Sequence, residues 1–248
     1  MKSLVLLPSY NSGSRLAQTL RQAQAEWPDV WTVIDGSTDG SPEEAARIPG
    51  IRLLRLEKNA GKGAAVLHGF AAAQASGFTH ALVMDADGQH PPEMVRPFMA
   101  AAEKSPHALI CGIPTFGPDA PRSRVLGRRA GNFFAHLETL GRGPRDSLCG
   151  FRLYPIAPTL AAFEKTRTGR AFDFETVAGV RLAWSGTPCI DIPIPVRYPK
   201  RSEGGVTHFR YLRDNLLLTR IHTTLLLQAP LHLPKVAPKS PFGTGLGH

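Results

Sequence analysis

The chain has 248 residues, 42% of them hydrophobic, with 24 Gly, 22 Pro and a formal net charge of +9. That size and apolar content suffice for one large α/β domain or two small ones and exclude a globally disordered chain. The basic balance points to a polyanionic partner, which can be nucleic acid, an anionic membrane surface or a phosphorylated small molecule.

Leu4 to Leu7 reads as a buried strand ended by Pro8. Ser14 is placed to cap a helix whose apolar face is Leu16, Leu20, Ala23 and Trp27, and Pro28 stops it. Trp31 to Ile34 is a second strand. Ser41-Pro42-Glu43-Glu44 after it has the form of a capping box with proline in the first turn. Ile51 to Leu56 is a third strand, followed by the glycine-rich turn Asn59-Ala60-Gly61-Lys62-Gly63 and an alanine-rich helix to about residue 76. His80 to Met84 is a fourth strand ending on Asp85. Pro91-Pro92-Glu93 opens a helix, and Ala108 to Ile113 is a fifth strand.

Strand and helix alternate through this half, which implies a Rossmann-like, mostly parallel sheet with helices on both faces. Ligands of such sheets bind beyond the carboxyl ends of the strands. The residues in question are therefore Ser9 to Asn11, Asp35 to Ser37, Lys58 to Lys62 and Asp85 to His90.

Beyond residue 113 the rhythm breaks. Pro114 to Arg124 reads as a loop, Val125 to Leu140 as a helix and Ser147 to Tyr154 as extended chain. Residues 172–184 read as helical, and Cys189 to Tyr198 as an edge strand because of its prolines. The expected division is a catalytic domain over 1–206, a basic amphipathic helix over 207–228 and a Pro/Gly-rich tail over 229–248. That helix can lie on an anionic bilayer, pack on the body of the protein or make a dimer contact.

Cys111, Cys149 and Cys189 show neither zinc-ligand spacing nor a disulfide framework, and fit a reducing compartment. No signal peptide is evident at the start. No stretch approaches the roughly 20 apolar residues of a spanning helix. Leu216 to Leu227 is the nearest, and Arg220 and His222 interrupt it. A cytoplasmic protein, peripheral at most on the inner face of the cell membrane, is expected.

Asp85-Ala86-Asp87 at a strand terminus is the sharpest chemical feature. Two carboxylates one residue apart can share a Mg²⁺ or Mn²⁺ ion with a diphosphate. The same tripeptide also fits a plain turn. Asp35, in Ile34-Asp35-Gly36-Ser37-Thr38-Asp39-Gly40, can accept from a base N–H or serve a turn. Lys62 can meet a phosphate near a helix N-terminus.

The order of these parts resembles the family 2 glycosyltransferases, a GT-A fold group that includes dolichyl-phosphate mannose synthases and similar polyprenyl-phosphate glycosyltransferases. The matching segments are Pro8-Ser9-Tyr10-Asn11, Ile34 to Ser41, Asn59 to Gly63, Met84-Asp85-Ala86-Asp87-Gly88-Gln89-His90-Pro91 and Asp146-Ser147-Leu148-Cys149-Gly150-Phe151-Arg152-Leu153. The resemblance covers roughly residues 3–215. It implies that Pro8, Ser9 and Tyr10 line a nucleoside pocket, that Asp35 reads the base and that Lys62 lies near the donor. Asp85 and Ala86 would face the nucleotide, Asp87 would be the main metal ligand with Asp85 beside it, and Gln89 would belong to the donor sugar. Asp146 and Arg152 would belong to the catalytic set, with Arg152 meeting acceptor or phosphate charge. Where members often carry two aspartates before Gly-Ser, this chain has Ile34 at the first position, which leaves the base open.

Phe172-Asp173-Phe174-Glu175 precedes an apolar helix with Arg181-Leu182. Family members that act on alcohols carry an acidic residue at the place of Glu175, which makes it the candidate base for an inverting transfer. The alternative is helix N-terminal charge. Thr207 and His208, in the basic loop Arg197 to Arg210, match a segment that approaches the metal and diphosphate, so His208 joins the metal and donor set.

The reading is an inverting, metal-dependent transfer from a nucleotide-diphosphate sugar to a lipid-linked or membrane-proximal acceptor. Its alternatives are a sugar-phosphate nucleotidyltransferase and a non-catalytic membrane-surface protein. Nucleic-acid binding is not expected, because no standard motif and no interleaving of aromatic and basic residues are present.

Overall fold

A computed structural model describes residues 1–116, 122–196 and 211–232. The expected α/β architecture is present. Seven strands, β1 (Ser3–Ser9), β2 (Val30–Asp35), β3 (Arg52–Leu56), β4 (His80–Val83), β5 (Leu109–Phe116), β6 (Arg152–Pro155) and β7 (Cys189–Val196), form one sheet in the order β3-β2-β1-β4-β6-β5-β7. The neighbours β3, β2, β1 and β4 run parallel, as do β5 and β7. β6 runs antiparallel between β4 and β5. Prolines Pro193 and Pro195 sit in β7, the edge strand predicted for them.

The central strands are apolar along their whole length because both faces are covered. Leu4 and Leu6 of β1 join one core with Phe70, Tyr154, Phe174 and Val177. Val5 and Leu7 join the opposite core with Leu16, Leu20, Phe98 and Phe151. Helices α1 (Ser14–Glu26), α2 (Ser41–Ala46) and α4 (Val95–Lys104) cover this second face. Helices α3 (Lys62–Ala75), α6 (Ile156–Phe163), α7 (Phe174–Trp184) and α8 (Tyr211–His232) cover the first. Helix α5 (Arg122–Thr139) packs against α7 and α8.

Several local expectations differ from the structure. Pro8 lies inside β1. Met84 N–H donates to Leu6 O, so Leu6 and Pro8 turn their backbone groups toward β4, which ends at Val83. The missing proline N–H therefore has no ladder partner to lose. Ser14 is not a cap, since Gly13 stands at that position with φ 57° and no side-chain cap forms. The capping box at Ser41 is also absent. Asp39 takes both the N–H and the hydroxyl of Ser41, and Gly40 is the cap residue. Helix α6, with Pro155 as its cap residue and Pro158 in its first turn, was not expected at all.

The C-terminal helix begins at Tyr211 and runs past Pro230 to His232, four residues into the stretch expected as tail. Its Ile221, Leu225 and Ala229 are buried in the first core. His222 Nδ1 lies 2.7 Å from Glu138 Oε1, and Arg181 donates to Gln228 Oε1. Helix α8 is thus packed on the body. Among the described residues no helix is long and apolar enough to cross a membrane.

Candidate active site

The carboxyl ends of β1, β2 and β4 meet where the chain leaves β1 for α1 on one face and β4 is reached from α3 on the other. This is the switch point at which open α/β sheets bind ligands. The loops here are tied to one another. Asn11, at φ 48°, accepts from Thr38 N–H through Oδ1, and its own N–H donates to Ser37 Oγ. Ser9 donates to Ser12, Pro8 is buried in the strand, and Tyr10 stands exposed at the rim.

Asp35 is buried, and its carboxylate holds the glycine-rich turn. Ala60 N–H donates to Oδ1 at 2.7 Å and Gly61 N–H to Oδ2 at 2.9 Å. A contact from Asp35 to a base would have to use the remaining lone pairs. Gly36 makes this approach feasible, because a Cβ there would stand 2.4 Å from Asn59 N. Nor is the N-terminus of α3 an open phosphate cradle. Gly63 N–H donates to Ala171 O and Ala64 N–H to Arg170 O, so the loop before α7 occupies it.

Lys62 points into the site between two carboxylates. Its Nζ lies 2.5 Å from Asp85 Oδ1 and 2.5 Å from Glu175 Oε1. Burial acts to lower the Lys62 pKa, but the charges of Asp85 and Glu175 outweigh it and hold the ammonium above its ordinary value. Burial likewise acts to raise Asp85, and Lys62 with His90 overcomes that and holds the carboxyl well below the usual range. His90 Nε2 is 3.4 Å from Asp85 Oδ2, and its ring rests against Phe151.

Asp87 is different. Its Oδ1 accepts Gln89 N–H at 3.0 Å, while Arg15 donates to its backbone carbonyl. Among the described residues no ammonium or guanidinium lies within ion-pair distance of its carboxylate. Burial, and then the neighbouring charge of Asp85, push the Asp87 pKa up. A hard divalent cation between the two carboxylates would relieve that repulsion, so the donor set fits Mg²⁺ or Mn²⁺ with Asp87 as the open ligand. Ala86 between them is buried, and Gln89 is half-buried at the turn. His208, the third metal candidate, lies outside the described residues, as does the rest of the Arg197 to Arg210 loop.

The segment before β6 closes the other side. Gly150 brings its backbone so near that a Cβ would stand 2.4 Å from Asp85 Oδ2 and 3.0 Å from Lys62 Nζ. Asp146 is buried and fixes this segment to α5. Arg128 donates to it at 2.5 Å, Asn132 at 3.4 Å, and Leu148 N–H at 3.1 Å.

Arg152, expected to meet acceptor or phosphate charge, has no exposed surface. Its guanidinium donates to Glu175 O at 2.6 Å and Asp146 O at 2.7 Å, a strut beneath the site floor. Glu175, expected as a base, has a side chain only 5% exposed and bound to Lys62. The sequence reading did not single out His90 or Gly150. Both lie in the quoted motifs, but nothing in their spacing announces contact with Asp85.

Two other features lie apart from this centre. A cavity of about 1520 Å³ opens at the opposite end of the central strands, lined by Met1, Phe78, His80 and Trp184 among others. Cys111, Cys189 and Asp191 group at the β5–β7 edge.

Comparison with known proteins agrees with this geometry. The model of Glycosyl transferase family 2 matches residues 4–168. An undecaprenyl-phosphate mannosyltransferase of Micrococcus luteus is 29% identical over 204 residues, 78% of this chain and 83% of that protein. A polyprenol monophosphomannose synthase of Mycolicibacterium smegmatis is 29% identical over 164 residues, 62% of this chain and 61% of its own length. Among solved structures, glucosyl-3-phosphoglycerate synthase from Mycobacterium tuberculosis, in complex with Mn²⁺, UDP and glucosyl-3-phosphoglycerate, superposes with a TM-score of 0.66 at 16% identity. The match covers 92% of this chain and 79% of that one.

Proposed function

The chain belongs to glycosyl transferase family 2, and from this site we propose an inverting transfer of a sugar from a nucleoside-diphosphate sugar to a polyprenyl-phosphate acceptor, with Mg²⁺ or Mn²⁺ as cofactor. The observation that carries the reading is the contrast within Asp85-Ala86-Asp87. Asp85 is ion-paired with Lys62 and faces His90, whereas Asp87 has a raised pKa and, among the described residues, no ion pair.

The cation would supply Lewis-acid neutralisation of the departing nucleoside diphosphate. Asp87, with Asp85 beside it, would hold it. The rim of Ser9, Tyr10 and Asn11, the turn fixed by Asp35, and Ala86 would receive the nucleoside, with Gln89 toward the sugar. Lys62 keeps Asp85 ionised and oriented, and its charge faces the same space as the phosphates.

An alcohol acceptor needs a base within hydrogen-bond reach. The catalytic candidates Glu175 and Asp146 are both buried and ion-paired. This supports an acceptor that arrives already anionic, so that its phosphate oxygen attacks the anomeric carbon without deprotonation. The bacterial relatives named above for undecaprenyl-phosphate and polyprenol point the same way. In this reading the protein works at the inner face of the cell membrane, where such acceptors are embedded.

The test offers UDP-glucose, UDP-N-acetylglucosamine and GDP-mannose with Mn²⁺, and either undecaprenyl phosphate or a long-chain alcohol. A sugar-1-phosphate lipid of inverted anomeric configuration is expected. Transfer to the alcohol alone, or retention of configuration, would contradict the proposal.

A further inference from the structure

Helix α5 presents a face that the core does not cover. Phe133 is 59% exposed, Phe134 37% and Leu137 44%, at spacings that place them along one side of the helix, and Leu140, in the turn just past its end, is 62% exposed. Three large apolar side chains on one helix face, with a fourth in the turn that follows, form a patch of the kind that marks an interaction surface. Arg129 stands one turn before Phe133 on the same side and is exposed. Arg142 and Arg145 follow the helix end, Arg145 exposed. Between Gly127 and Arg145 the one carboxylate is Glu138, and it is fully buried against His222. The outward face of α5 is therefore apolar and basic with no acid in it.

Helix α8 lies alongside. Phe134 packs on His222 with ring centroids 5.4 Å apart. Leu227 and Leu231 of α8 are 76% and 71% exposed, and Arg220 is exposed too.

We propose that this α5 face is a docking surface for an anionic lipid bilayer. Apolar residues in a helix lying in the interface plane enter the headgroup boundary, and flanking arginines attract anionic lipid. The charge pattern favours lipid over a second copy of the chain. A two-fold contact through the same patch would bring Arg129 of both copies together, and this face of α5 offers no exposed carboxylate to meet them. The surface also leads to the site. Arg128 and Asn132 of α5 hold Asp146, from which the chain runs to Gly150 against Asp85. Docking along α5 would thus set the site mouth at the bilayer surface. The docking surface itself does not depend on the transfer reading.

Co-sedimentation of the full chain with vesicles tests it. One set holds equimolar phosphatidylglycerol and phosphatidylcholine, the other phosphatidylcholine alone. Wild type is expected to bind the anionic vesicles and to be released by salt. The double substitution Phe133→Glu/Leu137→Glu is expected to weaken binding by at least about tenfold. Circular dichroism and melting temperature should stay those of wild type, because neither side chain is buried. Equal binding of the double variant, equal binding to neutral vesicles, or a lipid-free dimer that the double variant dissolves would each overturn the proposal.

Discussion

Replacing Lys62 by methionine tests the centre of the site by a route independent of activity. Lys62 Nζ sits 2.5 Å from both Asp85 and Glu175, and the Glu175 side chain is only 5% exposed. Methionine keeps the unbranched stem and removes the charge. Asp85, 27% exposed, can turn to water and still has His90. Glu175 has no such escape. Breaking a buried pair by removing one partner costs about 3–5 kcal/mol, and the partial exposure of Lys62 and Asp85 argues for the low end, about 3 kcal/mol. For a chain of this size that is a fall of roughly 6–12 °C in melting temperature. Glu175→Gln alone should cost about 1 kcal/mol, since Lys62 keeps Asp85 and an amide oxygen. The double variant Lys62→Met/Glu175→Gln should then melt above Lys62→Met, because no buried charge is left alone. Urea and thermal melts of the four proteins give the coupling. A loss under about 1 kcal/mol in Lys62→Met, or a double variant less stable than either single one, would refute the reasoning.

Two further outcomes follow from packing. Gly150→Ala puts a Cβ 2.4 Å from Asp85 Oδ2, so Asp85 must move. Transfer is expected to fall at least about tenfold while overpacking costs about 1–3 kcal/mol, read by steady-state rates and a urea melt. For the cysteines, burial and then the nearby Asp146 charge push the Cys149 thiol up to about 12, and burial pushes Cys111 well above its ordinary value. At pH 8 a disulfide reagent should therefore titrate Cys189 alone in the native protein and all three thiols in denaturant.

The sheet was legible because its strands are apolar runs closed by turn residues, and the helices between them carry an apolar period. What misled the local reading was hydrogen-bond direction. Whether Pro8 ends a strand depends on where β4 ends, which no window around Pro8 contains. Helix α6 is short and carries prolines at its cap and in its first turn, so its sequence looks like a turn. At the site, the motif order pointed to Asp85, Asp87, Lys62 and Asp35 as candidates, but the partners they meet in the fold come from far along the chain. Glu175 reaches Lys62 from α7, Gly150 meets Asp85 from the segment before β6, and Arg170 and Ala171 close the N-terminus of α3. Arg152 illustrates the same limit. An arginine in a functional motif suggests an anion, yet its place at the start of a central strand buries it completely.

The most direct measurement is a thermal-shift titration of wild type and Asp87→Ala with UDP and GDP, each with and without Mn²⁺. Ligand at about 100 times its dissociation constant stabilises by about 2.7 kcal/mol, or roughly 5–11 °C here. The donor nucleotide should raise the wild-type melting temperature, and raise it further with Mn²⁺. In Asp87→Ala the increment due to Mn²⁺ should vanish while the response to nucleotide alone remains. A wild type that neither nucleotide shifts, or an Asp87→Ala protein with the full Mn²⁺ increment, would contradict the assignment of Asp87 as the metal ligand of a nucleotide-sugar site.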